Sequence, residues 1–455
     1  MQFFARKTSL LFILVCLPLI FIPKINLIKF SGQTAGIRLD DMILLSFAVL
    51  LFWGHFVLEK RSGHLERLVI AITAFSFFSY FMNRFFVDLG WLHVDAKIFY
   101  CVRLLEYFLF FYIGAISIKF FEVSSIVRAF FLWNLVIMIL QKFHIVGEFN
   151  VEGYSTSSSY RVSGIASFPS EMGALLDIMF CYLIYDGSWK SKIAAVLPFP
   201  LRRFLQKSYL YWLFLIFAIL VIWTGSRIAI LALVVTFLGK LKDEIRLRSL
   251  SSLLLAGIFI AVGAGVMFVA ISKTMSLMSR SAGLFSFSNL DLIETVWDNI
   301  DLSHDPIGNE SVEAGDYDMS WWMRIHKWCY ALKIYYLHPE CYLQGVGPGF
   351  AMGGLDGGLL RIFTEYGIVG SVLFFKFFTV IYRESTQLKW MVVAFLINMI
   401  FFDVYLAYKV MSMLFLVAGA QMAASSSLQD FEGSAGLKGS LRLPLNPALP
   451  LKSCK

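Results

Sequence analysis

Residues 208–239 read SYLYWLFLIFAILVIWTGSRIAILALVVTFLG, with Arg227 as their single charged residue. Two apolar stretches, 208–223 and 226–239, are joined by a Trp-Thr-Gly turn. A helix needs about 20 mostly apolar residues to cross a bilayer. Each stretch is a little shorter than that, so the pattern predicts two short transmembrane helices that form a tight hairpin.

The whole chain has the same apolar character. Of its 455 residues, 58% are apolar and 15% are charged, whereas a soluble domain has about 45–50% and about 25%. This composition excludes a soluble enzyme and a disordered protein. Six Cys are too few for a disulfide scaffold, although Cys329 and Cys341 can pair if their loop faces an oxidising compartment. Unbroken apolar runs exclude a porin-type barrel, so we predict a helical membrane protein.

The same length criterion predicts an all-α, polytopic transmembrane bundle of about 12 spans within residues 1–424. The predicted spans are 9–28, 41–58, 66–87, 98–118, 123–146, 170–187, 208–223, 226–239, 249–271, 358–382, 388–405 and 409–424. One long connection, about 272–357, precedes the tenth span. Residues 425–455 are rich in Ser, Gly, Leu and Pro without a period, which predicts a disordered cytoplasmic tail.

The distribution of basic residues predicts the orientation. Lys and Arg are concentrated in connections such as 188–207 and 240–248, on the same predicted side as the N-terminus. Cytoplasmic loops carry such an excess. We therefore expect a protein of the cytoplasmic (inner) membrane with both termini in the cytoplasm and the 272–357 connection outside. This bias explains most of the net charge of +8, so the charge indicates no nucleic-acid partner.

The long outer connection has two parts. Residues 291–318 include nine acidic residues and no Lys or Arg. They lack the spacing of a calcium loop and a His/Cys cluster, so we expect no metal site. From residue 320 onward, aromatic residues recur at helical spacing with Arg324 among them, which is typical of a helix that lies in the interface against membrane lipids. Arg324 either binds substrate or contacts lipid headgroups.

Two polar motifs open predicted spans on the outer side. The first runs from Arg161 to Glu171, where Pro169 suits the first turn of a helix and Glu171 suits its positive end. The second is Thr-Gly-Ser226-Arg227, where free backbone N–H groups and a guanidinium can bind phosphate. The structural alternatives are a Glu171 that only caps its helix and an Arg227 that extends to the membrane interface.

A third polar region precedes and opens the tenth span. His338-Pro is followed by the glycine-rich stretch 345–349, GVGPG, and then by Asp356, which can cap the helix. Arg361 and Glu365 are i,i+4 neighbours on one helix face, so they either serve a site or neutralise each other. The glycines permit close backbone approach, but without a preceding strand or a following Lys-Ser/Thr they do not form a nucleotide-binding loop.

These motifs together resemble a known family. The GVGPG stretch with its upstream His-Pro, and residues 356–370, DGGLLRIFTEYGIVG, resemble the signature of the O-antigen ligase and O-antigen polymerase superfamily. Thr-Gly-Ser-Arg at the head of a span is similar to another part of that signature. Arg161-x-Ser-Gly-x-x-x-x-Pro-Ser looks like a segment of the exopolysaccharide polymerase members. The resemblance covers about 160–185, 223–239 and 324–371, in the family's order.

The resemblance implies a polytopic membrane glycosyltransferase that acts outside the cytoplasmic membrane. Such an enzyme moves a glycan from an undecaprenyl-diphosphate carrier to an acceptor hydroxyl. In polymerases the acceptor is another lipid-linked repeat unit, and in ligases it is the lipid A core. The family needs neither metal nor nucleotide sugar, so no cofactor is expected. A chain-length regulator and a flippase are the implied protein partners.

The resemblance also assigns site residues. Arg227 matches the arginine thought to hold the diphosphate, and Arg161 and Arg324 match further arginines on the same face. A diphosphate leaving group needs fixed positive charge when no metal supplies it, and the arginine fork suits it. The supporting residues are Ser226, His338 and Arg361.

The proton of the acceptor hydroxyl requires a base, and a carboxylate is sufficient for a sugar hydroxyl. The candidates are Glu171, Asp356 and Glu365, and the sequence does not choose among them. Ligases carry His-Asn where this chain has Asp356-Gly. This departure favours a polymerase over a ligase.

A membrane transporter or lipid-glycan flippase is the alternative of another class, because it also needs arginines for an anionic substrate. Transporter halves often show matching repeats with sites at the midplane of the membrane. The sequence shows no such repeat, and the candidate charges cluster at one surface. A non-catalytic membrane scaffold is a third reading, against which the convergent arginines argue.

Overall fold

The computed structural model describes residues 12–23, 26–29, 36–38, 42–44, 46–47, 63–86, 95–150, 153–155, 161–186, 199–245, 288–302, 319–350 and 354–435. Helices account for most of these residues. They are α1 (His64–Phe86), α2 (Arg103–Ser117), α3 (Val123–Lys142), α4 (Pro169–Tyr185), α5 (Phe199–Thr224), α6 (Arg227–Ile245), α7 (Ser288–Asn299), α8 (Met319–Leu337), α9 (Cys341–Gln344), α10 (Gly358–Glu384), α11 (Thr386–Asn398) and α12 (Tyr408–Ala435).

The predicted helical class is confirmed, with two small antiparallel hairpins in addition. Strands β1 (Asn26–Lys29) and β2 (Gly36–Arg38) form the first hairpin, and β3 (Glu148–Asn150) and β4 (Gly153–Ser155) form the second. Short 3₁₀ helices occupy Leu17–Ile20, Asp95–Val102 and Val404–Leu406. The first hairpin begins at Asn26, so the last residues of the predicted span 9–28 form a strand and not a helix, and the second begins at Glu148, just after the predicted span 123–146.

Within the described residues, four helical segments are long and apolar enough to cross a membrane. They are His64–Asn83, Ile98–Ser117, Val123–Lys142 and Gly358–Glu384, and each corresponds to a predicted span. Ser208–Thr224, within α5, is apolar but shorter. The described part of the chain therefore has the helices expected of a membrane protein, and the total of twelve spans stays a prediction.

The other predicted spans differ in their outcome. Helices α4, α6, α11 and α12 lie where spans were predicted, although α11 ends at Asn398, before the predicted limit of 405. The predicted span 249–271 and most of 41–58 lie outside the described residues. Helix α12 continues to Ala435, past the predicted start of the tail at 425.

The closest helix contact in the bundle joins α2 and α12. Gly114 of α2 packs against the backbone of Leu416, and Gly419 of α12 packs against the backbone of Phe111. A Cβ atom at either glycine would overlap the facing carbonyl oxygen. Small residues at such contacts let helix backbones approach closely in membranes. This reciprocal contact fixes α12 beside α2 in the main core.

Replacing Gly114 with alanine should therefore destabilise the bundle. The new methyl group must push α2 away from Leu416, which we expect to cost about 1–3 kcal/mol. The measurement is the thermal midpoint of the purified protein in detergent. Gly63→Ala is the matched control, because its Cβ would lie 3.6 Å from the nearest atom, Glu66 Oε2. Equal midpoints for the two variants would contradict this packing.

Helix α8, which we predicted as an interfacial helix, forms a second, smaller core with α7. Trp322 and Ile325 of α8 are buried in the same cluster as Leu292 and Val296 of α7. The ammonium of Lys333 donates to the carbonyl oxygens of Trp297 (2.6 Å) and Ile300 (3.0 Å), at the C-terminal end of α7. The predicted helix is thus present and paired, and its position in the membrane interface stays a prediction.

Cys329 and Cys341 also lie in this smaller core. Both are free and buried, so the structure does not pair them. Burial raises the pKa of the Cys329 thiol to about 11 and that of the Cys341 thiol to about 12. Both thiols are therefore protonated and poorly nucleophilic near neutral pH.

Candidate functional site

Several helix ends meet at one end of the bundle. Glu171, in the first turn of α4, accepts a hydrogen bond from the backbone N–H of Lys409 at the start of α12. Gly173 of α4 packs against Ser226, next to the start of α6. The N–H of Leu359 in α10 donates to Met399, just after α11 (3.0 Å). Glu171, Arg227 and Arg361 lie in the first turns of helices and Arg324 lies on α8, whereas Arg161, His338 and Asp356 lie in connecting segments.

Arg161 and the Thr-Gly-Ser turn, 63 residues and more apart in sequence, are in direct contact. Arg161 Nε donates to the carbonyl oxygen of Thr224 at 2.8 Å, and the side chain packs on Gly225, whose φ is 66°. The hydroxyl of Thr224 accepts from the N–H of Ser226 at 3.3 Å. Helix α6 then begins at Arg227. The first and second predicted motifs therefore form one unit.

The loop that carries Arg161 is held by Gln141 of α3. Gln141 Oε1 accepts from the N–H of Gly164 at 2.7 Å, and Gln141 Nε2 donates to the carbonyl oxygen of Gly164 at 2.9 Å. Gly164 has φ of 58°, a conformation that glycine adopts without steric cost. The N–H of Val162 also donates to Trp223 at 3.0 Å. These bonds fix Arg161 at the turn before α6.

Glu171 serves as a capping carboxylate. Its Oε2 accepts from the N–H of Ser167 at 3.0 Å, and its Oε1 accepts from the N–H of Lys409 at 3.2 Å. The side chain is buried. Pro169 occupies the first turn of α4 as predicted, whereas no serine side chain caps that helix. Both carboxylate oxygens thus bind backbone at two helix ends, which supports the structural alternative for Glu171.

Arg361, Glu365, Asp403 and Tyr405 form a buried network, here called the Arg361 cluster. Arg361 Nε lies 2.9 Å from Glu365 Oε1, so the predicted pair is present and is neutralised within the helix. Arg361 Nη1 lies 2.8 Å from Asp403 Oδ2. The hydroxyl of Tyr405 donates to Glu365 Oε2 at 2.5 Å. The cluster therefore ties the first turns of α10 to the segment after α11.

The Arg361 cluster also holds the loops around it. Glu365 Oε1 accepts from the N–H of Gly349 at 3.0 Å. Asp403 accepts from the N–H groups of Leu355 (2.7 Å) and Gly357 (3.3 Å), just before α10. Asp403 thus binds the backbone just before α10, whereas the cap residue of this helix is Gly357 and no side chain caps it, so the capping role predicted for Asp356 is wrong.

The GVGPG stretch fills a break in α10. Gly367 has φ of 59° and ψ of −163°, which interrupts the helix. The interruption lets the carbonyl oxygens of Thr364 and Glu365 accept from the N–H groups of Val346 (2.8 Å) and Gly347 (3.0 Å). A Cβ atom at Gly367 would meet the backbone of this loop. The glycine-rich motif is thus a structural insertion into a broken helix.

Asp356 is the most accessible of the three predicted base candidates. Its side chain is 32% exposed, whereas Glu171 and Glu365 are buried. Its Oδ2 lies 3.2 Å from the ammonium of Lys327 on α8, which also donates to the carbonyl oxygen of Gly354 at 2.5 Å. Asp356 has φ of 56°, which is uncommon for a residue with a Cβ. The strained turn and Lys327 together fix this carboxylate between α8 and α10.

Arg324 is a cation without an ion-pair partner among the described residues. Its guanidinium lies 5.9 Å from the ring centroid of Phe401, in cation–π geometry. The ring of Trp328, one turn further along α8, also stacks on Phe401, and the two ring centroids are 5.9 Å apart. Within the described residues, Arg324 forms no ion pair, and its buried Nε has no hydrogen-bond partner. An anion would supply what this guanidinium lacks.

His338 lies apart from these contacts. Its Nδ1 is 3.2 Å from Glu340 Oε1, in the short turn between α8 and α9. Sequence reasoning missed Lys327, Phe401, Asp403 and Tyr405. The sequence could have indicated Asp403, because it is an acidic residue at the end of an apolar stretch. Its partners could not be predicted, because they lie more than 40 residues away in sequence. In the described ranges, no three His, Cys, Asp or Glu residues lie together as a metal site.

Comparisons with known proteins assign the chain to no family. No protein-family model, curated protein or solved structure matches it. The resemblance to the O-antigen polymerase and ligase superfamily therefore stays a prediction from short motifs.

Proposed function

We propose that this chain is a membrane glycosyltransferase that polymerises undecaprenyl-diphosphate-linked oligosaccharide repeat units at the outer face of the cytoplasmic membrane. The observation that carries the proposal is the guanidinium of Arg324, which has no ion-pair partner among the described residues and lies three residues before Lys327 on α8, where Lys327 contacts the accessible carboxylate of Asp356. An anion-binding group and a base are the two parts that transfer from a diphosphate carrier requires.

The leaving group is stabilised by arginine in this proposal. Arg324 is open to an anion, and Arg161 is fixed where α6 begins with Arg227. Backbone N–H groups at a helix start favour phosphate oxygens. The bond between the anomeric carbon and the diphosphate oxygen breaks, and the diphosphate departs with the electron pair. Fixed guanidinium groups offset the charge that develops on it.

Asp356 is the proposed base. The hydroxyl oxygen of the acceptor unit forms the new bond to the anomeric carbon, and its proton passes to the Asp356 carboxylate. The ammonium of Lys327, 3.2 Å from Oδ2, holds this carboxylate in place beside α8. Glu171 and Glu365 are left with structural roles, because backbone and side-chain donors occupy their oxygens.

Chain extension by the purified protein tests the proposal. Lipid-linked repeat units are the only substrate, EDTA is present, and the products are separated by length on a gel. We expect a ladder of glycans, because arginines replace the metal and the donor carries its own activated diphosphate. Transfer onto added lipid A core without a ladder would indicate a ligase. Movement of the lipid-linked unit across vesicles with neither product would indicate a flippase.

A further inference from the structure

Asp177 of α4 and Asn398 of α11 form a polar pair within the bundle. Both side chains are at most 1% exposed. Asn398 Nδ2 donates to Asp177 Oδ2 at 2.7 Å and to the carbonyl oxygen of Ala394 at 3.0 Å, which uses both amide hydrogens. Asp177 Oδ1 and Asn398 Oδ1 are also buried, and in the described part of the chain neither has a hydrogen-bond partner. The pair therefore has two acceptor oxygens and no donor left.

An ionised carboxylate does not account for this arrangement. Carboxylate oxygens only accept hydrogen bonds, so an ionised Asp177 leaves both Oδ1 atoms unsatisfied. Burial of an unpaired charge is also costly, above all at membrane depth. Among the described ion pairs, none includes Asp177.

Four of the cations on the helices that pack against α4 make contacts elsewhere. The ammonium of Lys409 on α12 donates to the carbonyl oxygens of Leu19 (3.0 Å) and Ile20 (2.8 Å). Lys240 of α6 lies 4.1 Å from the ring centroid of Tyr185, and Lys389 of α11 lies 5.6 Å from that of Tyr382. Arg128 of α3 lies 3.6 Å from Glu122. Other titratable residues along α4 and α5 include Glu171, Cys181, Tyr182, Tyr185, Asp186, Tyr209 and Tyr211.

A proton on Asp177 Oδ1 satisfies every atom of the pair. The O–H then donates to Asn398 Oδ1 while Oδ2 accepts from Asn398 Nδ2. A carboxylic acid and a primary amide are complementary in this way, with two reciprocal hydrogen bonds and no net charge. We propose that Asp177 is a buried proton-binding site, held as the neutral acid and bonded reciprocally to Asn398.

The pair is a positioning device in this account. Glu171 lies in the first turn of α4, and α11 leads into the segment that carries Phe401 and Asp403. The neutral pair joins these two helices, so it fixes both elements at the functional end of the bundle. This inference does not depend on the proposed glycosyltransferase activity, because it concerns only the protonation of Asp177.

Infrared difference spectroscopy on the purified protein tests the proton directly. At about pH 8, exposed carboxyl groups are ionised. We expect the wild type to retain a carbonyl band of a protonated carboxylic acid that Asp177→Asn lacks. Two amides can form the same reciprocal pair, so Asp177→Asn should keep the thermal midpoint of the wild type, whereas Asp177→Leu should lower it by several degrees because Asn398 loses its partner.

Two results would overturn the inference. One is the absence of a band difference between wild type and Asp177→Asn, which would mean that the carboxyl is ionised. The other is a midpoint that rises with sodium chloride but not with choline chloride and that loses this response in Asp177→Asn. That result would show that a sodium ion, instead of a proton, joins the two oxygens.

Discussion

Replacing Arg361 with leucine is expected to prevent the chain from accumulating as folded protein. Arg361 is buried, and its guanidinium is 2.9 Å from Glu365 and 2.8 Å from Asp403. Without it, two buried carboxylates would face each other with no cation. Removing one partner from a buried ion pair costs about 3–5 kcal/mol, which is a large share of the about 5–15 kcal/mol that stabilises a typical protein.

The measurement is the yield of monodisperse protein in size-exclusion chromatography. Arg383→Leu is the matched control, because it makes the same substitution at an exposed position of the same helix. We expect the control to accumulate normally. A normal yield of Arg361→Leu would show that the Arg361 cluster does not hold α10 to the segment after α11.

Replacing Arg324 with leucine is expected to give the opposite result. Arg324 has no carboxylate partner within the described residues, so the folded yield should be that of the wild type. Polymerisation should fall by about 10–100-fold or more, because a charge-assisted contact contributes about 1.5–3 kcal/mol. Arg324→Lys should restore only part of the rate, since an ammonium lacks the bidentate fork. Wild-type glycan length in Arg324→Leu at normal protein levels would contradict a role in catalysis.

Local sequence patterns predicted those features that depend on neighbours along the chain. The i,i+4 spacing of Arg361 and Glu365 placed them on one helix face, and the structure has the pair. Apolar runs likewise predicted most helices of the bundle, because helix length and bilayer thickness are linked. Pro169 correctly marked the start of α4. Each of these predictions depends only on neighbours within a few turns.

Local sequence patterns did not predict the contacts between segments that are distant in sequence. Asp403 replaces Asp356 as the residue that binds the start of α10, yet 46 or more residues separate it from Leu355 and Gly357. Helix α10 is broken at Gly367, and the GVGPG loop binds the backbone groups that the break leaves free. A glycine within an apolar run does not indicate which distant loop will bind there. The first hairpin also includes the last residues of the apolar stretch 9–28, which we predicted as a helix.

The most direct test of the central claim is to measure undecaprenyl diphosphate release while the purified protein extends lipid-linked repeat units in EDTA. The account predicts that carrier release equals the number of glycosidic bonds formed, and that both fall together in Arg324→Leu. Glycan growth that requires an added divalent metal, or growth without release of the carrier, would contradict it.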